Sequence, residues 1–103
     1  MDQNTNDKIK SELKQNEVCL FMKGTPEVPQ CGFSLAVSNM LKHLEVKFKG
    51  INVLENAELR QSIKEYSDWP TIPQLYIKEE FDIKLSDLNK LSTFWFKDYF
   101  EEN

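Results

Sequence analysis

This chain of 103 residues is short of the groups from which many protein sites are built: it has two cysteines, one histidine and three glycines. Two cysteines cannot supply the disulfide framework of a small secreted domain, and a Cys19–Cys31 bond is not expected. This cysteine usage fits a reducing compartment. Long apolar stretches are lacking as well, and none approaches the roughly 18 residues of a membrane span. Basic charge is in deficit, with 13 Lys and Arg against 17 Asp and Glu and a net charge of −4. That argues against a nucleic-acid surface, which usually carries a basic patch. Met1–Asp7 has neither the basic region nor the apolar core of a signal peptide, and it is not Arg-rich like a transit peptide. The expected location is the cytoplasm, with an organelle matrix open if a presequence has been removed.

What remains is an ordinary globular composition, 40% hydrophobic and 29% charged. There is no internal repeat, low-complexity tract or linker, so residues 1–103 are expected to form one domain. Thr5 to Asn16 reads as a helix with Ile9 and Leu13 four apart. Val18–Met22 is a continuous apolar run, the pattern of a strand buried on both faces. A turn-rich loop spans Lys23 to Gln30. Phe33, Val37, Met40, Leu41 and Leu44 then form a helical stripe, and His43 sits where a helix C-terminus favours it.

Val46 to Val53 reads as a second strand. Asn56 is a candidate N-cap for a helix with Leu59, Ile63 and Tyr66 inward. Two prolines make Trp69–Pro73 a loop. Gln74 to Lys78 and the short Phe81–Ile83 read as an antiparallel hairpin joined at Glu79-Glu80. Ser86 looks like the N-cap of a last helix bearing Leu88, Leu91, Trp95 and Tyr99. The order α-β-α-β-α-β-β-α predicts an α/β fold of three layers: a central, mixed, four-stranded sheet flanked by helices.

The chemistry concentrates at Gln30-Cys31-Gly32-Phe33-Ser34. Cys31 falls between a Pro-rich loop and a helix, so its sulfur meets the free N–H groups and positive dipole end that favour a thiolate. Three residues on, where a dithiol motif would place its second cysteine, stands Ser34. One activated thiol without a local partner suits metal ligation or a mixed disulfide better than an internal disulfide cycle. Cys19 reads as a buried strand residue. Lys23, just after the first strand, should lie beside Cys31, where a cation lowers a thiol pKa.

Phe21-Met22-Lys23-Gly24-Thr25-Pro26, Pro29-Gln30-Cys31-Gly32-Phe33-Ser34 and Trp69-Pro70-Thr71-Ile72-Pro73-Gln74-Leu75-Tyr76 together resemble the monothiol glutaredoxins of C-G-F-S type, over about Val18 to Ile77. The resemblance implies a thioredoxin-like fold, glutathione and a [2Fe–2S] cluster as cofactors, and Cys31 as both reactive thiol and metal ligand. It implies glutathione contacts from Lys23, from Arg60 (the only arginine, able to bind a carboxylate in bidentate fashion) and from the Ile72 backbone beside a cis Pro73. It extends more thinly to Ser86 and Asp87, at a helix N-terminus suited to the γ-glutamyl end. There the family's preceding glycine pair is replaced by Lys84-Leu85.

Four cluster ligands, with one thiol per chain, imply a homodimer bridged by the cluster and completed by two glutathione thiols. BolA-like proteins and iron–sulfur clients are the implied partners. The expected function is cluster transfer and redox homeostasis. Two alternatives stand beside it: a thiol–disulfide oxidoreductase that removes glutathione from protein thiols, of weak activity at most, and an adaptor with a degenerate glutathione site that binds through its aromatic C-terminus.

Overall fold

The structure, a computed structural model, describes residues 3–83. The Ser86 helix, Asp87 and the aromatic C-terminus lie outside the described residues. Helix α1 (Gln3–Gln15) leads into β1 (Val18–Met22), all five residues of which are buried. Helix α2 (Gly32–His43) then crosses to β2 (Lys49–Asn52), which pairs with β1 in parallel, Cys19 opposite Lys49 and Met22 opposite Asn52. A 3-10 turn (Val53–Glu55) leads into α3 (Ala57–Ser67). Strand β3 (Gln74–Ile77) runs antiparallel to β1, and β4 (Glu80–Ile83) runs antiparallel to β3. The sheet order is β2-β1-β3-β4.

The period-two alternation of a strand divides the core into two. On one face Cys19 and Phe21 pack with Ile9 and Leu13 of α1 and with Leu59 and Ile63 of α3. The Phe21 and Tyr76 rings meet edge to face there, with centroids 5.5 Å apart, a favoured aromatic geometry. On the other face Val18, Leu20 and Met22 pack with Val37 and Leu41 of α2. Burial on both faces accounts for the unbroken apolar run of β1. The helix–sheet–helix layering is the three-layer α/β arrangement expected from the element order.

Asn56 caps α3 as its position predicts, with Oδ1 accepting from the N–H groups of Glu58 and Leu59 at 3.0 and 3.2 Å. Three local expectations are corrected. Strand β2 begins at Lys49 rather than Val46, because the chain first terminates α2. Glu45 turns to φ +58, and the Val46 N–H donates to the Leu41 carbonyl at 3.0 Å, as in a Schellman closure. Phe33 is 53% exposed instead of inward; Ser34 and Ser38, each 0% exposed, take the buried stripe with Val37 and Leu41. The hairpin turns at Lys78-Glu79 rather than Glu79-Glu80. Both turn residues have positive φ, the sense that matches the twist of a two-residue hairpin.

Candidate functional site

Open α/β sheets present their ligand crevice beyond the C-terminal ends of parallel strands, and several of the predicted groups lie at that end. The Lys23 loop follows β1, and the turn into α3 follows β2. Strand β3 starts at the same end, since Phe21 pairs with Gln74. The Ile72–Pro73 peptide is cis, and Ile72 is buried.

Cys31 is the N-cap of α2, in extended backbone and partly exposed. Partial burial works to raise the pKa of its thiol. The N–H groups of Ser34 and Phe33, the charge of Lys23 and the Ser34 hydroxyl more than offset this, so the pKa lies below the ordinary cysteine value. No side-chain cap hydrogen bond is formed; the helix N–H groups act on the sulfur without closing one. Ser34 is fully buried, and its Oγ accepts the Lys23 N–H at 3.0 Å. The serine that replaces a second cysteine therefore serves as an anchor between α2 and the loop after β1.

That loop is held at several points. The Gln30 N–H donates to the Lys23 carbonyl at 2.9 Å, and Thr25 and Val28 exchange backbone bonds at 3.2 and 3.1 Å. Gly24, at φ +93, bridges to Pro29, and its N–H donates to Asn52 Oδ1 at 3.0 Å. Pro26 sits so close over Gly50 that a Cβ there would come within 2.3 Å of the proline ring. The opposite wall is fixed from beneath by Gln74, whose Nε2 donates to the carbonyls of Trp69 and Thr71 at 3.3 and 3.2 Å while its Oε1 accepts from the Tyr76 hydroxyl at 3.0 Å. Gln74 is 0% exposed, so these bonds also satisfy a buried amide.

Of the predicted site residues, the structure brings together Cys31 and Lys23, with Ile72 in the adjoining loop. Arg60 is exposed in the second turn of α3, the helix that leaves the same end of the sheet. Ser86 and Asp87 lie outside the described residues. Reading the sequence alone missed Asn52, Gln74 and the anchoring role of Ser34. All three are polar residues whose partners lie across the fold or in a neighbouring loop, where no local signal in the sequence points to them.

Cys19 differs in every respect. It is 0% exposed, and its Sγ–H donates to the Glu12 carbonyl at 3.3 Å. Burial, joined by the charge of Glu12 and opposed by Lys49, pushes its thiol up to about 11. It faces the α1 side of the sheet, whereas α2 covers the other. Iodoacetamide at neutral pH should therefore label Cys31 and leave Cys19 unlabelled in the folded chain, as read by mass spectrometry. Lys23→Gln removes a cation that favours the thiolate, so the pH midpoint of Cys31 labelling should move upward. An unchanged midpoint would remove Lys23 from the site.

A layered α/β fold with one activated thiol at a helix N-terminus, beside the loop that follows the central strand, defines a thioredoxin-like thiol protein. Residues 18–81 match the family model for glutaredoxins. A mitochondrial monothiol glutaredoxin-5 of Lachancea kluyveri is 58% identical over 80 residues, covering 75% of this chain and 56% of that protein. The chloroplastic monothiol glutaredoxin-S14 of Arabidopsis thaliana is 53% identical over 75 residues, 73% of this chain and 43% of its own. The chain thus spans about half the length of these two relatives. The solution structure of reduced poplar apo GrxS14 superposes with a TM-score of 0.78 at 41% identity, covering 94% of this chain and 90% of that one. The chain belongs to the glutaredoxin family, and within it to the monothiol glutaredoxins of C-G-F-S type.

Proposed function

We propose that this monothiol glutaredoxin binds glutathione and, as a homodimer, carries a [2Fe–2S] cluster between iron–sulfur proteins. The observation that supports it most is the pairing of one accessible, activated thiol at Cys31 with a buried, hydrogen-bonded Ser34 where a resolving cysteine would stand. The donor set fits the cluster only when shared. Among the described residues no group of three or more His, Cys, Asp or Glu side chains could hold a metal. Cys31 would give one thiolate per chain, and two glutathione thiols would complete the four ligands of such a cluster.

The cluster is the cargo, and the chain's residues act on glutathione and the thiol. Lys23 favours the Cys31 thiolate and offers an ammonium to a carboxylate of the tripeptide. The backbone of Ile72 would pair with the peptide main chain as an added strand. Arg60 would receive the glycyl carboxylate as a fork, and Ser86-Asp87 would take the γ-glutamyl end. BolA-like proteins and cluster acceptors are the proposed partners. The setting is the cytoplasm or an organelle matrix.

The same thiolate supports the second reading, removal of glutathione from protein thiols. Cys31 would attack the glutathione sulfur of a mixed disulfide, the protein thiolate would leave, and free glutathione would then displace Cys31 to give glutathione disulfide.

Anaerobic reconstitution with iron and sulfide, with and without glutathione, separates the readings by visible absorption and native mass. The carrier reading expects a coloured dimer only when glutathione is present. A colourless monomer under both conditions overturns it, and brisk deglutathionylation by that monomer would establish the second.

A further inference from the structure

We propose that Asn52 is a positioning residue for the glutathione groove: its side-chain oxygen ties the Lys23–Gly24 backbone to the end of β2. The proposal rests on reading that groove as a glutathione site, and it assigns to Asn52 the placement of one wall.

Asn52 is the last residue of β2, level with Met22 on β1. Its Oδ1 accepts two N–H groups, that of Leu54 at 2.9 Å and that of Gly24 at 3.0 Å. Both partners can only donate, so the side chain must present its oxygen and not its NH2 to them. The two bonds have different purposes. The Leu54 bond is local and caps the 3-10 turn, as any Asn, Asp, Ser or Thr at that position can. The Gly24 bond joins positions 28 residues apart and links the site loop to the sheet.

Consider how Lys23 is held. Its N–H is taken by Ser34 of α2, and its carbonyl receives the Gln30 N–H within the loop. The bond at Gly24 is the anchor from the sheet side. Gly24 is itself buried, and a buried N–H that loses its acceptor is costly to leave unmade. Without Asn52 the loop would have to shift until that N–H met water or another acceptor, and the Lys23 stem would move with it. A flexible ammonium places its charge only as well as its backbone is placed.

Three variants test this by calorimetry with reduced glutathione, together with the Gly24 amide signal in a 1H–15N spectrum and a thermal melt. Asn52→Ala should bind about tenfold more weakly and displace the Gly24 signal. Asn52→Ser keeps an oxygen near enough for Leu54 but too short for Gly24. It should melt close to the wild type and bind as weakly as Asn52→Ala, which isolates the long-range bond from turn capping. Asn52→Asp keeps the acceptor at full reach, and at salt high enough to screen its charge it should restore the Gly24 signal and most of the affinity. Wild-type affinity in Asn52→Ser or Asn52→Ala overturns the proposal whatever their melting points. So does a failure of Asn52→Asp to recover affinity once the Gly24 signal is restored. A wild-type chain that does not bind glutathione overturns the groove reading and this proposal with it, whereas a binding wild type with unaffected variants overturns this proposal alone.

Discussion

Cys31→Ser is expected to reduce thiol exchange to the uncatalysed background, a loss of at least about 10³-fold, because the reacting group is the thiolate and a serine hydroxyl does not ionise near neutral pH. The substitution changes one atom at a partly exposed N-cap, where serine is itself a favoured residue. The fold should therefore survive, and a melt should confirm it. The same variant should fail to retain a glutathione-dependent cluster, since each chain then contributes no thiolate at the site. Cys19→Ala is the informative contrast. Its sulfur is buried on the far face of the sheet and its thiol is held neutral, so exchange should continue at the wild-type rate. The cost should appear as stability, about 1 kcal/mol for a vacated methyl-sized space. Exchange that survives in Cys31→Ser and vanishes in Cys19→Ala would reverse the assignment of the two thiols.

Gly24→Ala carries the largest expected cost to the fold. A Cβ there would lie 2.5 Å from the Val28 carbonyl oxygen and 2.7 Å from the Gln30 nitrogen. Both are backbone atoms fixed in hydrogen-bonded turns, so neither yields as a side-chain tip would. The φ of +93 adds strain of its own, about 1–2 kcal/mol for a residue with a Cβ. Forced packing adds roughly 1–3 kcal/mol. The sum, about 3 kcal/mol, should lower the melting temperature by roughly 10–20 °C in a domain of this size. If the loop relaxes instead of the whole domain weakening, glutathione affinity should fall in its place, because Lys23 is the preceding residue. Gly32→Ala is the control. A Cβ there meets nothing within 4 Å, and alanine is the better helix former by up to about 1 kcal/mol, so stability should hold or rise. Equal effects at the two glycines would mean that the loop is looser than its hydrogen bonds imply.

Much of this architecture could be read from residue order because the strongest signals are local. Five consecutive apolar residues define β1, and the asparagine at position 56 marks the start of α3. Two prolines exclude regular structure from Trp69 to Pro73. The place of Cys31 at a helix N-terminus was legible for the same reason, since a cap is set by its own neighbours. What escaped depends on partners remote in sequence. Phe33 fits an apolar stripe by spacing, yet the buried stripe of α2 runs through Ser34 and Ser38. At Ser34 the inward hydroxyl is matched by a partner across the fold, the Lys23 N–H, which no spacing along the helix reveals. Val46 and Phe48 looked like strand because they are apolar, and they do pack on the α2 face, but the helix terminus claims the backbone there first. Asn52 and Gln74 are invisible to periodicity altogether, since their value lies in which loop each happens to hold.

The placement of one thiol in the core on the α1 side of the sheet and of the other at the N-terminus of α2 has a kinetic meaning. A dithiol protein can resolve its own oxidation in a first-order step whose rate no dilution changes. The only other cysteine, Cys19, is buried within β1, so a group bound to Cys31 through a disulfide must be released by a thiol that arrives by diffusion. On the thiol-exchange proposal each turnover would then include a second-order return step, whose rate follows the concentration of free thiol. The strand that supports the site would thereby tie such exchange to the surrounding thiol pool.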